Sequence, residues 1–101
     1  MDNKEVFETL VNVDSMMLQM NTFSRYIGKS GFILISAYGN GDINKQNALK
    51  RKFPDIDKIA IMCQSKIKQG FCRAVCGAYL MGLSPDEIEK ECKRIGIWKQ
   101  G

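Results

Sequence analysis

The sequence predicts a mainly α-helical single domain of residues 1–101, with four or five helices and one short β-strand or hairpin at about 22–38. Three observations support this prediction. Apolar residues recur at helical spacing near the N-terminus, residues 71–83 are almost continuously apolar, and a helix-capping signature begins at Ser84. Because a helix that is apolar on all sides is normally buried on all sides, we expect the helix at about 71–82 to lie at the centre of the domain.

The first helix is predicted to begin at Asp2, which can cap it together with Glu5 three residues later. Its apolar residues follow a 4-3-4-3 spacing and form one stripe, made of Val6, Leu10, Val13, Met17 and Met20. The stripe indicates packing against the core or, alternatively, a seam for self-association or for a partner. It is too short to predict a coiled coil.

A run of β-branched and aromatic residues at 32–38, bounded by glycines, is typical of a strand. A lone strand leaves backbone groups unpaired on both edges and therefore needs a partner. Residues 22–27 can supply that partner in a hairpin through a turn at 28–31, which is the solution we favour. The alternative is pairing with the same strand of a second chain.

Two capping signals delimit later helices. Asp42 follows a glycine-rich turn and can cap a short basic helix at about 43–52, which ends before a proline. Ser84 can cap the last helix, with Pro85 at its first position and Glu87 completing a capping box.

Between these two helices, one apolar stripe stays in phase from Ile56 to Met81. The pattern indicates either one helix from 55 to 82 or two helices in register with a kink at Gly70. The second half of this segment contains small residues that would let neighbouring helices approach closely, namely Ala74, Cys76, Gly77 and Ala78.

Positive charge is concentrated in the middle of the chain. The whole protein carries a net charge of +4, whereas the segment from Asp42 to Arg73 carries +5, with eight basic and three acidic residues. A basic centre between near-neutral flanks predicts one face that binds an acidic protein surface or nucleic acid, the alternative being a merely solvated face. The cations assigned to this basic face (43–68) are Lys45, Lys50, Arg51, Lys52, Lys58, Lys66 and Lys68.

No sequence pattern points to catalysis. The chain has no histidine, which excludes histidine triads and histidine acid–base chemistry. Gly28-Lys29-Ser30 resembles the end of a phosphate-binding loop, but Phe23 stands where that motif requires a glycine. Residues 71–97 have the spacing of a helix-turn-helix, but the acidic start of the second helix would be repelled by DNA phosphates, so we expect a packing hairpin. We predict no enzymatic activity, no metal and no cofactor.

Four cysteines lie among apolar residues of the predicted helices, at positions 63, 72, 76 and 92. We expect buried thiols that pack as small hydrophobic groups, with a zinc site or a disulfide as the alternatives. On a continuous helix, Cys63 would point about 180° away from Cys72, because each residue turns the helix by about 100°.

The leading hypothesis is a small protein-binding regulator or inhibitor that acts through the basic face and forms a homodimer. The alternative is a nucleic-acid-binding protein that uses the same face for phosphate contacts. We also expect a cytoplasmic protein without membrane attachment, because no apolar run reaches roughly 20 residues and no signal peptide is evident. The residues assigned to self-association are Met17, Met20, Phe32 and Leu34.

Overall fold

The computed structural model describes residues 2–12 and 22–100, which form six α-helices. The helices are α1 (Asn3–Asn12), α2 (Thr22–Asn40), α3 (Ile43–Lys52), α4 (Ile56–Ile61), α5 (Cys72–Leu80) and α6 (Pro85–Ile95). A π-helical turn, Met62–Lys66, continues directly from α4. The prediction of a mainly α-helical protein is confirmed. In the described residues the only β pairing is an isolated antiparallel bridge between Ile67 and Trp98.

Helix α5 occupies the centre of the fold. Five consecutive residues, from Ala74 to Ala78, are buried, and α5 packs against α1, α2, α4 and α6. This position agrees with the buried helix expected at 71–82, and it follows from the nearly continuous apolar sequence of that segment. The largest fully buried side chains of the described residues are Val75 and Cys76 of α5 and, on other helices, Phe7, Ile56, Ile59, Ile88 and Cys92.

The predicted strand and hairpin at 22–38 are wrong, because α2 runs continuously through them. Over residues 26–40 of α2, where burial is described, the buried residues follow helical spacing and are Gly28, Gly31, Ile35 and Tyr38. The first two carry no side chain, so the helical period was hidden from a count of large apolar residues. The intrinsic preference of β-branched residues for strands is weak enough for packing against α5 to override it.

The contact between α2 and α5 depends on glycines in both helices. A Cβ atom added at Gly31 would lie only 2.3 Å from the carbonyl oxygen of Cys76. One added at Gly77 would lie 3.0 Å from the Cα atom of Gly28 and 3.2 Å from a methyl carbon of Leu10 in α1. The expectation that small residues of α5 allow a close approach is therefore confirmed at Gly77.

The predicted helix caps are present. Oδ1 of Asp42 accepts a hydrogen bond from the backbone N–H of Lys45 at 2.9 Å, and α3 spans the predicted residues 43–52. Ser84 and Glu87 form the complete capping box of α6, and Gly96 ends that helix in the left-handed conformation with φ of 83°. At the N-terminus, Asp2 accepts from the backbone N–H of Glu5 at 2.8 Å.

The segment from 55 to 82 contains two helices, as one of the two alternatives predicted. They are separated by a non-helical segment and not by a kink at Gly70. Residues 67–71 are not helical, and Gly70 has φ of +97°, which a residue with a side chain rarely adopts. The two helices pack against each other as separate elements. Trp98 is half-buried against the core and lies opposite Ile67.

Candidate interaction surface

Helix α3 presents most of the predicted cations. None of its residues is buried, and Lys45, Lys50, Arg51 and Lys52 are all exposed. Three of these cations lie in the last turn, where positive charge is stabilised by the partial negative charge of the helix C-terminus. Lys58 lies exposed on the next helix, α4, which packs against α3. We call these five residues the α3–α4 basic surface.

A small number of contacts hold α3 on the fold. Leu49 and Phe53 are half-buried against the core, and the ring of Phe53 lies 6.1 Å from that of Tyr79. The side-chain amide of Gln46 donates to the backbone carbonyl of Tyr38 at 3.0 Å, which satisfies an acceptor near the end of α2. The ammonium group of Lys50 lies 5.9 Å from the centre of the Tyr38 ring. The basic helix is therefore anchored along one side and exposed on the others.

The acidic residues beside the cations are engaged elsewhere. The Tyr79 hydroxyl donates to Asp55 at 2.6 Å, and the Tyr38 hydroxyl donates to Asp57 at 2.9 Å. Burial and the bond to Asp55 raise the pKa of the Tyr79 hydroxyl, so it stays protonated as a donor. These two carboxylates attach the start of α4 to α5 and α2.

The ion pairs within the described residues lie at the other side of the molecule. They join Arg94 to Glu8 and Glu91, and Lys93 to Glu89, all on α1 and α6. None of these pairs includes a cation of the α3–α4 basic surface. Within the described part of the chain, that surface therefore carries positive charge without an acidic partner.

The structure separates two of the predicted cations from the other five. Lys66 ends the π-helical turn and Lys68 follows the Ile67–Trp98 bridge, whose register places Lys66 opposite Lys99. The bridge is closed by backbone hydrogen bonds from Lys99 to Lys66 at 2.8 Å and from Lys68 to Ile97 at 2.9 Å. We call Lys66, Lys68 and Lys99 the bridge lysines. Sequence reasoning missed Lys99, because no local signal connects it to a position 33 residues earlier.

Two large apolar side chains lie beside the cations. Ile43 is 66% exposed at the start of α3, two turns before Lys50 on the same side of the helix. Ile61 is 51% exposed on α4, three residues after Lys58 and therefore its neighbour on the helix surface. The α3–α4 basic surface thus combines positive charge with exposed apolar area.

Met17 and Met20, two of the residues predicted for self-association, lie outside the described residues. The other two, Phe32 and Leu34, would share one side of a strand, but in α2 they lie about 160° apart around the helix axis. Leu34 packs partly buried against the core, whereas Phe32 is 39% exposed with the Arg73 guanidinium over its ring.

Three of the cysteines converge between the π-helical turn and α5. The Sγ atoms of Cys63 and Cys76 lie 3.5 Å apart, and Sγ of Cys72 lies 3.4 Å from the carbonyl oxygen of Cys63. The opposition of Cys63 and Cys72 that a continuous helix would impose does not arise, because the helix is interrupted at 67–71. All four cysteines are free thiols. Among the described residues, no group of three cysteine or acidic side chains is arranged to hold a metal ion.

Burial governs the acidity of the thiols. It raises the pKa of Cys72 to about 11 and that of Cys92 to about 12. For Cys63, the hydrogen bond with Cys76 and then burial raise the pKa well above its usual range. These thiols are therefore protonated near neutral pH, as expected for packed hydrophobic groups.

Comparison with known proteins gives no family. No family model matches the chain, and neither a curated protein nor a solved structure matches it at a significant level. Within the described residues, none of the helices has the length and apolar composition needed to cross a membrane.

Proposed function

We propose that this protein is a small non-enzymatic regulator or inhibitor that binds an acidic protein surface through the α3–α4 basic surface. The observation that carries the proposal is the presence of exposed Ile43 and Ile61 next to cations that have no acidic partner in the described residues. Protein interfaces combine an apolar centre with charged residues around it, whereas contacts to nucleic-acid phosphates are mostly polar. The cytoplasmic location of the protein itself remains a prediction.

The charges of the α3–α4 basic surface would orient an acidic partner and speed its association. Complementary charge steers an acidic partner toward the basic surface and raises the association rate at low salt. The apolar side chains of Ile43 and Ile61 supply area that becomes buried on binding, which stabilises the complex without depending on salt. We therefore expect binding that weakens with salt but is not abolished by it.

A matched pair of double variants tests this proposal. Arg51→Gln with Lys52→Gln removes two positive charges from the surface, and Lys4→Gln with Lys90→Gln removes two from exposed positions on α1 and α6. Each immobilised protein is incubated with nuclease-treated cell extract, and the captured proteins are quantified by mass spectrometry. Wild type and the α1/α6 variant should retain the same acidic protein, and the Arg51/Lys52 variant should retain about tenfold less of it.

Equal retention by both double variants would contradict the proposal. It would show that capture of the acidic protein does not depend on where the positive charges lie. Replacing Ile43 with serine separates the apolar contribution from the charge. It should weaken capture at high salt as well as at low salt, since it removes apolar area and no charge.

The bridge lysines favour nucleic-acid binding as a second candidate. Lys66 and Lys99 lie opposite each other, an arrangement of like charges that is unfavourable unless an anion lies nearby. In the capture experiment without nuclease, this candidate predicts bound RNA or DNA. The slope of log affinity against log salt should fall by about one for each lysine that contacts duplex phosphate. Retention unaffected by nuclease favours the protein partner instead.

Self-association remains part of the proposal, and two exposed residues of α2 are candidates to mediate it. Tyr26 and Ile33 are 65% and 57% exposed and lie two turns apart on the same side of α2. We expect wild type to be a dimer in size-exclusion chromatography with light scattering, and Ile33→Glu to be a monomer. Ile61→Glu, on α4, is the control and should stay dimeric. A monomeric wild type at high protein concentration would contradict the dimer.

A further inference from the structure

Cys63 and Cys76 are held together by two different elements of the fold. Cys63 lies in the π-helical turn Met62–Lys66, and Cys76 lies in the middle of α5. Their Sγ atoms are 3.5 Å apart although 13 residues separate them in the chain. The non-helical segment 67–71, with Gly70 at φ of +97°, brings the two elements into contact.

The separation of the two sulfur atoms is suitable for a covalent bond. A disulfide has a sulfur–sulfur distance of about 2.05 Å, so the atoms would need to approach by about 1.5 Å. A change of this size is within reach of side-chain rotation combined with a small backbone movement. The contact lies where the α4 segment packs against the central helix, so the bond would join two elements that are already neighbours.

The two thiols differ in how easily a reagent can reach them. Cys63 is half-buried, whereas Cys76 is only 1% exposed. A small oxidant would therefore meet Cys63 first, and Cys76 would lie directly behind it. This order is the one required of a dithiol in which the outer cysteine is modified and the inner cysteine displaces the modifying group.

We propose that Cys63 and Cys76 are an oxidisable dithiol that closes to an intrachain disulfide on reaction with a low-molecular-weight disulfide such as oxidised glutathione. The Cys63 thiolate attacks one sulfur of oxidised glutathione, releases one glutathione thiol and forms a mixed disulfide. The Cys76 thiolate then attacks the sulfur of Cys63 and releases the second glutathione thiol. The two cysteines are oxidised, oxidised glutathione is reduced to two thiols, and the two cysteine protons pass to the departing thiolates.

The first step is slow at neutral pH because the Cys63 thiol is mostly protonated. The titratable groups near Cys63 are Cys76 and Cys72 of α5 and Cys92 of α6, and the hydrogen bond with Cys76 raises the pKa of Cys63 most. The thiolate is the attacking species, so the assay is run at about pH 9, where the thiolate fraction is larger than at neutral pH.

The positions of basic residues allow a direct test. Trypsin cleaves after Lys58, Lys66, Lys68, Arg73, Lys90 and Lys93, so each cysteine falls in its own peptide. The cysteine-containing peptides are 59–66, 69–73, 74–90 and 91–93. The folded full-length protein is incubated with oxidised glutathione, its remaining thiols are blocked, and the digest is analysed by mass spectrometry without reduction.

The expected result is a link between peptides 59–66 and 74–90 that disappears on reduction. A link from 59–66 to 69–73 would assign the bond to Cys72 and overturn the proposal. Free thiols or a persistent mixed disulfide with glutathione at Cys63 would overturn it as well. The wild-type digest gives this answer without any variant, so a variant that fails to fold does not affect the test.

Two serine variants provide the control. Cys63→Ser should lose the link, whereas Cys72→Ser, at the half-buried neighbouring thiol, should keep it. Loss of the link in both variants would overturn the proposal, because it would show that Cys72 takes part in the bond or its formation. The test measures a covalent bond and no partner, so its outcome is independent of the proposed binding function.

Discussion

Replacing Gly31 with alanine is expected to lower the free energy of unfolding by about 2–3 kcal/mol, because the new Cβ overpacks the contact between α2 and α5. That Cβ would lie 2.3 Å from the carbonyl oxygen of Cys76 and 2.5 Å from its carbonyl carbon. Both atoms belong to the backbone of the central helix and cannot rotate away, so the two helices must separate. The higher helix propensity of alanine offsets only about 1 kcal/mol of this cost. Urea denaturation followed by circular dichroism measures the change.

Gly39 provides a matched control in the same helix. A Cβ at Gly39 meets no atom within 4 Å, and its φ is not in the left-handed region. Gly39→Ala should therefore raise the free energy of unfolding by up to about 1 kcal/mol, through helix propensity and a less flexible unfolded chain. If Gly31→Ala and Gly39→Ala had the same effect, the close approach of α2 and α5 at Gly31 would be contradicted.

Replacing Phe7 with alanine is expected to lower the free energy of unfolding by about 3–5 kcal/mol. Phe7 is 0% exposed, and its helix, α1, packs mainly against the central helix α5. The substitution removes a buried aromatic ring and leaves a cavity that the surrounding helices can fill only in part. Since domains of this size are stable by only about 5–15 kcal/mol, this loss is a large part of the total stability. Thermal and urea denaturation both report this loss.

Ile43→Ala is the control for the Phe7 variant. It also removes a large apolar side chain, but from a residue that is 66% exposed on α3, so its effect should stay within about 0.5 kcal/mol. A Phe7→Ala protein as stable as wild type would mean that α1 is not part of the core. The docking of Leu10 over Gly77 would then be contradicted too.

The helices whose ends carry strong local signals were predicted correctly. α3 begins after Asp42 and α6 begins after Ser84, as the capping residues indicate. These signals are reliable because a cap bonds backbone groups only three residues away, so its effect is present in the sequence itself. The burial of α5 was predictable for a similar reason, since an all-apolar helix has no solvent-exposed alternative.

Helix α2 shows where local reasoning fails. Its segment 32–38 has the composition of a strand, and Gly28 and Gly31 look like a turn. In the folded protein both glycines face α5: its backbone fills the space that a side chain at Gly31 would occupy, and a Cβ at Gly28 would lie in ordinary contact with it, at 3.5 Å. Counting them as buried positions recovers the helical spacing of α2. Nothing in the sequence indicates that these glycines are buried until the position of α5 is known.

The interaction surface was predictable in part. The cations of α3 and α4 were identified from charge alone, because lysine and arginine are almost always exposed. The bridge between Ile67 and Trp98 sets the positions of Lys66 and Lys68 and places Lys99 beside them. The charge pattern of the sequence does not contain this information. The proximity of Cys63 and Cys76 likewise depends on how the π-helical turn packs against α5.

Local sequence patterns are sufficient to predict the helical class, the caps, the burial of α5 and the concentration of positive charge, because each depends on residues within a few positions of one another. The helical state of α2, the grouping of the cations and the meeting of the thiols become visible only in the folded molecule. Those outcomes depend on contacts between residues far apart in the chain. The energy of such a contact, for example the close approach of α2 and α5 at Gly31, exists only when the neighbouring helix is in place.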